Sequence, residues 1–214
     1  GKKSHNHNKW QFEDYIPNYS ILLKIEQKTK LLREFTNIQR GLEIGRDKVS
    51  IHGKVPCITG SNVEKWRIIN YSYIDLKTSN NFSKDMQFFT GERILIRETG
   101  NELTCLYLAE KIYHNRSLYS IKITDSNLPY KFLLGILNSS LIQFYYAMKF
   151  RTDTEIFPKI RIIQVQELPL KFPSPAALQQ IVCLVDEILS LTKSNDYLQN
   201  SSTQAKVKEY DRQI

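Results

Sequence analysis

The sequence has few cysteines and no pattern that would join them. Its three cysteines, Cys57, Cys105 and Cys183, lie far apart in a chain of 214 residues. An odd count at wide spacing provides neither a disulfide framework nor the C-x-x-C pairs of a zinc site. Free, scattered cysteines are typical of reducing compartments, so we expect a cytoplasmic protein.

A long apolar run is also missing. The longest apolar stretch with helical spacing, residues 130–150, is interrupted by Lys131, Asn138 and Gln143. A membrane span needs about 20 consecutive, predominantly apolar residues. This stretch is too polar to span a bilayer, and we do not count a membrane among the expected partners.

Motifs for catalysis, metal binding and nucleotide binding are incomplete. Gly41 and Gly45 lie four residues apart, but no G-K-[ST] ending follows them. His114 has no carboxylate or nucleophile beside it. Glu26-Gln27-Lys28 matches E-x-K, half of a nuclease metal site, without the aspartate that should precede it. We therefore predict no catalytic residue, no metal ligand and no bound cofactor in this chain, and a small nuclease using Glu26 and Lys28 is the weakest alternative.

What the sequence has in excess is positive charge. Thirty lysines and arginines against 22 acidic residues give a formal net charge of +8. A balance of this sign favours a polyanionic partner, with nucleic acid first and an anionic membrane surface second. An apolar content of 41% and a charged content of 24% are typical of a globular domain rather than a disordered one.

Apolar periodicity predicts helices towards both ends and strands between them. Helical spacing covers residues 20–35, 130–149, 174–191 and 203–214, with Ser174 as an N-cap and Pro175 at the first helical position. Strands are predicted around 55–58, 66–76, 92–98, 103–109 and 113–123, with turns at 60–62 and 114–116. Six of the eight glycines fall between positions 41 and 100. The fold class is therefore α+β: a turn-rich, mixed or antiparallel β recognition domain with flanking helices and a C-terminal helical segment.

The stretch 91–101 stands at the centre of this β region. Its branched run Ile94-Leu95-Ile96 is typical of a buried strand, and the charged turn Arg97-Glu98-Thr99-Gly100-Asn101 follows directly. Two interpretations of Arg97 stay open: a solvated ion pair with Glu98 at the strand end, or a brace for the loops around it. In either case, we expect 94–96 to be core and Gly100 to permit the turn.

Four blocks of the sequence occur in the order of one known family. They are Arg40-Gly41-Leu42 with Gly45 and Lys48, then ILIRETGN at 94–101, LLGILNSSLIQFY at 133–145 and FPKIRIIQVQELPL at 157–170. The sequence resembles the TaqI-like C-terminal specificity domain, the target recognition domain of type IIG restriction-modification enzymes and related adenine-specific DNA methyltransferases. The helix carrying Ile181, Val185 and Ile188 is similar to the family's trailing helix.

The resemblance implies a module that reads double-stranded DNA and leaves the chemistry to methyltransferase and nuclease domains of the same chain. Those domains would bind S-adenosylmethionine and magnesium. This sequence has no N-P-P-Y or D-P-P-Y tetrapeptide and no glycine motif for S-adenosylmethionine, so it should be catalytically silent. The resemblance also implies a division into a recognition domain at 1–172 and a helical spacer at 173–214. The last helix runs to Ile214 without a stop signal, and we therefore expect a longer parent protein.

Basic and amide side chains near predicted loops are the candidates for DNA contact. Arginine can bind guanine or a phosphate with two hydrogen bonds, and asparagine can bind adenine. The candidates are Arg46, Lys48, Arg67, Arg97, Asn101, Arg116, Lys149, Arg151, Lys159 and Arg161. As a further alternative, the helices after 173 could dock a partner subunit of a multi-subunit specificity protein.

Overall fold

The computed structural model describes residues 19–75, 84–150, 158–194 and 196–214, apart from the side chain of Arg46. Six α-helices lie within these ranges. In chain order they are α1 Tyr19–Glu26, α2 Tyr130–Asn138, α3 Ser140–Phe150, α4 Ile162–Gln166, α5 Pro175–Thr192 and α6 Ser201–Gln213.

Twelve short strands lie within the same ranges. They are β1 Lys30–Leu31, β2 Thr36–Arg40, β3 Val49–Ser50, β4 Val55–Ile58, β5 Val63–Glu64, β6 Arg67–Ile68, β7 Ser72–Ile74, β8 Arg93–Arg97, β9 Cys105–Leu108, β10 Tyr113–His114, β11 Leu118–Ile123 and β12 Pro169–Leu170. The main sheet has the order β2-β11-β8-β9 and is antiparallel throughout. A second sheet has the order β10-β4-β7-β3, in which only β10 and β4 run parallel. The pairs β1–β12 and β5–β6 complete the β structure described, and the α+β prediction is confirmed.

Strand β8 is buried on both faces of the main sheet. Ile94 and Ile96 pack into the core under the helices, whereas Leu95 packs into a separate cluster on the other face. All three side chains are fully inaccessible. Because both faces are covered, the strand needs an unbroken apolar run rather than the alternation of a half-exposed strand. The prediction that 94–96 forms core is confirmed.

The C-terminal helices pack into the same core as the main sheet. Helix α2 lies between the sheet and α5, and α5 in turn packs on α6. Gly135 allows the close approach of α2 and α5, because a Cβ atom at this position would lie 3.0 Å from methyl groups of Ile181 and Val185. Ser174 caps α5 by accepting a hydrogen bond from the amide of Ala177, as its position before Pro175 predicts.

By length and composition alone, α5 is apolar enough to cross a membrane. One side of the helix, including Val185 and Ile188, is buried in the core with α2 and α6. Packing therefore accounts for the apolar residues on that side without a membrane.

The predicted first helix, 20–35, is too long. Helix α1 ends at Glu26, and Lys28 then adopts a φ of 55°, which turns the chain. Residues 30–31 pair with β12, and the 3₁₀-helix Leu32–Glu34 follows. The apolar spacing that predicted a helix continues because Leu32 and Phe35 enter the same core from this turn.

The predicted helix at 130–149 is two helices. Ser139 has extended backbone angles, φ −64° and ψ 150°, which separate α2 from α3. Its hydroxyl group donates to the carbonyl of Ile136 at 2.7 Å and lies 3.3 Å from the amide of Ile142, so one side chain serves both helix ends. The preceding Asn138 is fully buried. Its side chain accepts a hydrogen bond from the amide of Cys105 and donates one to the carbonyl of Cys105, which fixes where α2 ends against β9.

The turn predicted at 114–116 begins later than expected. His114 ends strand β10, and the chain turns at 116–117 before β11 begins. The turn predicted at 60–62 is confirmed and consists of the 3₁₀-helix Gly60–Asn62.

Candidate nucleic-acid interface

A cleft of about 890 Å³ crosses the end of β8, and it collects positive side chains. We call it the basic cleft. It is lined by four cations and one carboxylate, together with small polar residues from several loops. The charged residues are Arg40, Arg97, Arg116, Lys159 and Glu98. Loops that are distant in sequence meet here because β2, β8 and β11 are adjacent in the main sheet.

Strand register places Arg97 and Glu98 on opposite faces. Tyr119 lies opposite Arg40 on one side and Ile96 on the other, whereas Leu118 lies opposite Arg97. Because strand side chains alternate between faces, Glu98 shares a face with Arg40 and Tyr119. The alternative of an Arg97–Glu98 ion pair is therefore wrong.

Glu98 is instead the anchor of a compact network with Arg40. The Nη2 atom of Arg40 donates to Oε1 of Glu98 at 2.7 Å, and Nε donates to the carbonyl of Arg116 at 3.0 Å. The hydroxyl of Tyr119 lies 3.2 Å from the same carboxylate oxygen. Burial and Glu98 together raise the pKa of Tyr119 to about 12, so its phenol stays protonated. Burial alone would lower the pKa of Arg40, but the bond to Glu98 outweighs it and raises that pKa.

Arg97 lies on the other face, between two glycines. A Cβ atom at Gly60 would lie 3.3 Å from Cγ of Arg97, and one at Gly100 would lie 3.1 Å from Nη2. Gly100 has a φ of +154°, which favours glycine and confirms that this residue permits the turn. With the residues that the structure describes, the side chain makes no ion pair, and its Nε is buried without a hydrogen-bond partner. Any bracing by Arg97 therefore rests on packing contacts.

Lys159 reaches the cleft through backbone pairing. The amide of Ile160 donates to the carbonyl of Glu98 at 2.7 Å, and the amide of Gly100 donates to that of Pro158 at 3.1 Å. Thr99 and Lys159 form an isolated antiparallel bridge between these two bonds. The segment after β8 and the segment before α4 thus form one cleft wall.

Arg116 stands at the rim of the cleft. Its side chain is 59% exposed, and Nη1 lies 3.5 Å from the carboxylate of Glu43. Glu43 is also 3.5 Å from Nη1 of Arg40, so one carboxylate serves two arginines. An ion pair this exposed contributes little to stability, and Arg116 can leave Glu43 to bind another anion.

Asn62 stabilises the opposite wall of the cleft. Its side-chain oxygen accepts from the amide of Thr59 at 2.7 Å and from the hydroxyl of Ser72 at 3.1 Å. The amide of Gly60 donates to the hydroxyl of Ser117 at 2.7 Å. These bonds hold the polar residues 59–61 against the cleft.

Three of the ten candidates therefore come together, namely Arg97, Arg116 and Lys159. Arg40 completes the group and was missed, because its position at the end of β2 becomes informative only once β2 is paired with β11.

Two other candidates are occupied by contacts elsewhere. Arg67 packs its guanidinium 5.1 Å from the ring of Tyr197 and lies 3.7 Å from Glu64. Lys149 forms an ion pair with Glu26 at 2.9 Å. Three of the remaining candidates do not line the basic cleft: Lys48 and Asn101 are exposed, and Arg161 precedes α4. Arg46 has only its backbone described. Arg151 lies outside the described residues.

The contacts of Glu26 do not favour the nuclease alternative. Its carboxylate accepts hydrogen bonds from Tyr145 at 2.8 Å and from Lys149 at 2.9 Å, which together lower its pKa against the opposing effect of burial. Over the ranges that the structure describes, no group of three or more His, Cys, Asp or Glu residues is placed to hold a metal ion.

Comparison with solved structures identifies the fold. A structure described as the basis of complex assembly and conformational transition of the type I restriction-modification system superimposes with a TM-score of 0.51 and 15% identity over 86% of this chain and 45% of that one. The HsdS subunit from Thermoanaerobacter tengcongensis superimposes with a TM-score of 0.50 and 14% identity over 86% of this chain and 42% of that one. The type IIG restriction endonuclease BpuSI superimposes with a TM-score of 0.56 and 11% identity over 94% of this chain and 33% of that one. The chain thus spans less than half the length of each, and identities this low establish similarity of fold.

A search of curated proteins finds no match. The model of the family described as the TaqI-like C-terminal specificity domain matches residues 55–170, a range that includes β8, β11 and most of the basic cleft. Because this match covers more than half of the 214 residues, the chain belongs to the family of TaqI-like C-terminal specificity domains.

Proposed function

We propose that this chain recognises a double-stranded DNA sequence for a restriction-modification system, and that the duplex lies against the basic cleft. The observation that carries the proposal is the meeting of Arg40, Arg97, Arg116 and Lys159 around one concave surface in a specificity domain. Cations placed this way neutralise phosphates and release counterions, which drives binding. The net charge of +8 supports the same partner.

The charged and the neutral residues of the cleft have different roles in this proposal. The cations supply affinity for the backbone, while small hydroxyl and amide groups such as Thr59, Ser61 and Asn115 line the same surface. Such groups can donate to and accept from base edges, so sequence discrimination would rest with them and with neighbouring loops. The candidates outside the cleft, among them Lys48, Asn101 and Arg161, would contact DNA that extends past it.

We propose further that the parent is a cytoplasmic type IIG enzyme, combining N6-adenine methyltransferase and endonuclease activities. In that arrangement other domains of the same chain bind S-adenosylmethionine and magnesium, and the present chain contributes no catalytic residue. The similarity in fold to BpuSI supports this choice. Residues 173–214 would act as a helical spacer behind a recognition domain at 1–172.

A second candidate is a subunit of a multi-subunit system, in which the helices after 173 dock a partner. It is supported by the similarity in fold to an HsdS subunit. Light scattering of the chain alone, and mixed with the methyltransferase encoded beside it, separates the two. A stable complex with a separate methyltransferase favours the subunit, whereas a gene that fuses the two domains favours the type IIG enzyme.

Fluorescence anisotropy with labelled duplexes, selected from a random pool by this chain, tests DNA recognition. If three or four cleft cations contact phosphates, the slope of log K against log salt should be about −2.7 to −3.6. Affinity should then fall about 40- to 150-fold between about 50 and 200 mM salt. Failure of the pool to converge on a sequence, or binding that does not depend on salt, would contradict the proposal.

A further inference from the structure

Arg97 differs from the other arginines of the basic cleft in having no carboxylate partner within the described part of the chain. Arg40 is bonded to Glu98, and Arg116 lies beside Glu43. Among the described residues, no acidic group lies within 4.0 Å of the Arg97 guanidinium, and its Nε donates no hydrogen bond. The nearest acidic residue in sequence, Glu98, is held on the opposite face by Arg40 and cannot neutralise it.

Its unpaired guanidinium is also partly withdrawn from water. The residue is half-buried, and the Nε atom is inaccessible. The stem is confined between Gly60 and Gly100 at the end of a strand that is buried on both faces. A confined, partly desolvated cation is unfavourable unless an anion binds to it. The Arg97 guanidinium is therefore suited to bind an anionic ligand. The confinement also means that little rotamer entropy is lost when the ligand binds.

The shape of the surroundings identifies which part of DNA this ligand is. Base edges lie at the floor of a groove, and protruding helices, ribbons or loop tips reach them. Arg97 lies in a concave cleft, which accepts a convex object, and the convex part of a duplex is its sugar-phosphate ridge. A planar guanidinium binds a phosphate with two parallel hydrogen bonds.

We propose that Arg97 binds one backbone phosphate of the target duplex within the basic cleft and does not read a base. The proposal rests on the DNA-binding function above. It gives Arg97 an affinity role that is independent of sequence, and it places the discriminating contacts on the neutral residues and loops around it. Arg116, whose pair with Glu43 is open, supplies a second phosphate contact at the rim.

The test compares Arg97→Gln and Arg97→Lys with the unchanged chain in salt-dependent anisotropy. Loss of one phosphate contact should reduce the magnitude of the salt slope by about 0.9. Affinity of the Gln variant should therefore fall about 3.5-fold less than that of the unchanged chain between about 50 and 200 mM salt. Arg97→Lys keeps the charge, so it should keep the slope and lose affinity only through the missing second hydrogen bond.

Arg33→Gln is the matched control. Arg33 is exposed on the 3₁₀-helix Leu32–Glu34 and lies outside the basic cleft, so the same change of charge should leave the slope unaltered. Circular dichroism confirms that each variant is folded before binding is measured.

Selection from a random duplex pool supplies the second readout. The Arg97→Gln variant should enrich the same sequence as the unchanged chain, because a phosphate contact carries no base information. An unchanged salt slope, or an enriched sequence altered at one position, would overturn the phosphate assignment while leaving the proposed function intact. Absence of duplex binding by the unchanged chain would instead refute the proposed function itself.

Discussion

His114 makes the stability of this fold depend on pH. The imidazole is fully buried beneath Gly41 and lies 4.9 Å from the ring of Phe89. Burial, with a further contribution from the charge of Arg93, lowers the pKa of His114 from 6.5 to about 4. Backbone groups near the ring oppose this shift, but neither ring nitrogen has an aligned hydrogen-bond partner.

The direction of the effect follows from which state binds the proton first. Near pH 7 the imidazole is mostly neutral in both the folded and the unfolded chain, so its protonation contributes little to the free energy of unfolding. As the pH falls below about 6.5, the unfolded chain takes up a proton that the folded chain refuses until about pH 4. Stability linked to His114 is therefore present above pH 6.5 and is lost on acidification. The free energy of unfolding should decrease by about 2 kcal/mol at pH 5 and by about 3 kcal/mol near pH 4.

Urea unfolding between pH 7 and pH 4.5 measures this loss, with His114→Leu as the comparison. Carboxylates also contribute to acid sensitivity, but they do so in both proteins. The difference in unfolding free energy between the chain and the variant should therefore change by about 2 kcal/mol in favour of the variant between about pH 7 and pH 5. Parallel pH profiles, or an NMR titration that places the pKa of His114 near 6.5, would refute the reasoning.

Two further predictions concern buried positions, both measured by urea unfolding at neutral pH. Arg93 is fully buried and donates to the carbonyls of Gly91, Glu110 and Ile112 at 2.7, 2.8 and 3.0 Å, so Arg93→Met should destabilise the fold by about 3 kcal/mol or more. Gly135→Val should cost about 1–3 kcal/mol, because added carbons would overlap α5. A loss below about 0.5 kcal/mol in either variant, the range of ordinary surface substitutions, would contradict the packing described.

The central strand of the main sheet, β8, was predictable because its signal is local. Ile94, Leu95 and Ile96 are adjacent in sequence, and a run of branched residues is enough to indicate a strand buried on both faces. The N-cap of α5 was predictable for the same reason, since Ser174 and Pro175 carry the signal between them.

The two helix errors have a cause that no local pattern reveals. Residues 130–149 keep a helical apolar spacing, yet the helix breaks at Ser139 because Asn138 is fixed by the backbone of Cys105, 33 residues away. The first helix stops early because residues 30–31 pair with β12, which lies about 140 residues later. Tertiary contacts of this range override helix propensity, and they are formed only when the whole chain has folded.

The basic cleft shows the same division between local and distant information. Counted along the chain, Arg97 and Glu98 cancel, and a charge profile of this stretch is neutral. Strand alternation separates them, and the register of β2 on β11 then delivers Arg40 to Glu98 across 58 positions. The carboxylate is neutralised by an arginine that sequence reasoning did not select, and this leaves Arg97 without a counter-charge. The positive charge of the cleft therefore arises because strand pairing brings together basic residues from distant positions, and not because one stretch of the sequence is rich in them. Arg40→Gln should therefore weaken DNA binding in the salt-dependent anisotropy assay by more than the loss of one cation, because it also leaves the Glu98 carboxylate uncompensated in the cleft, where it repels phosphate.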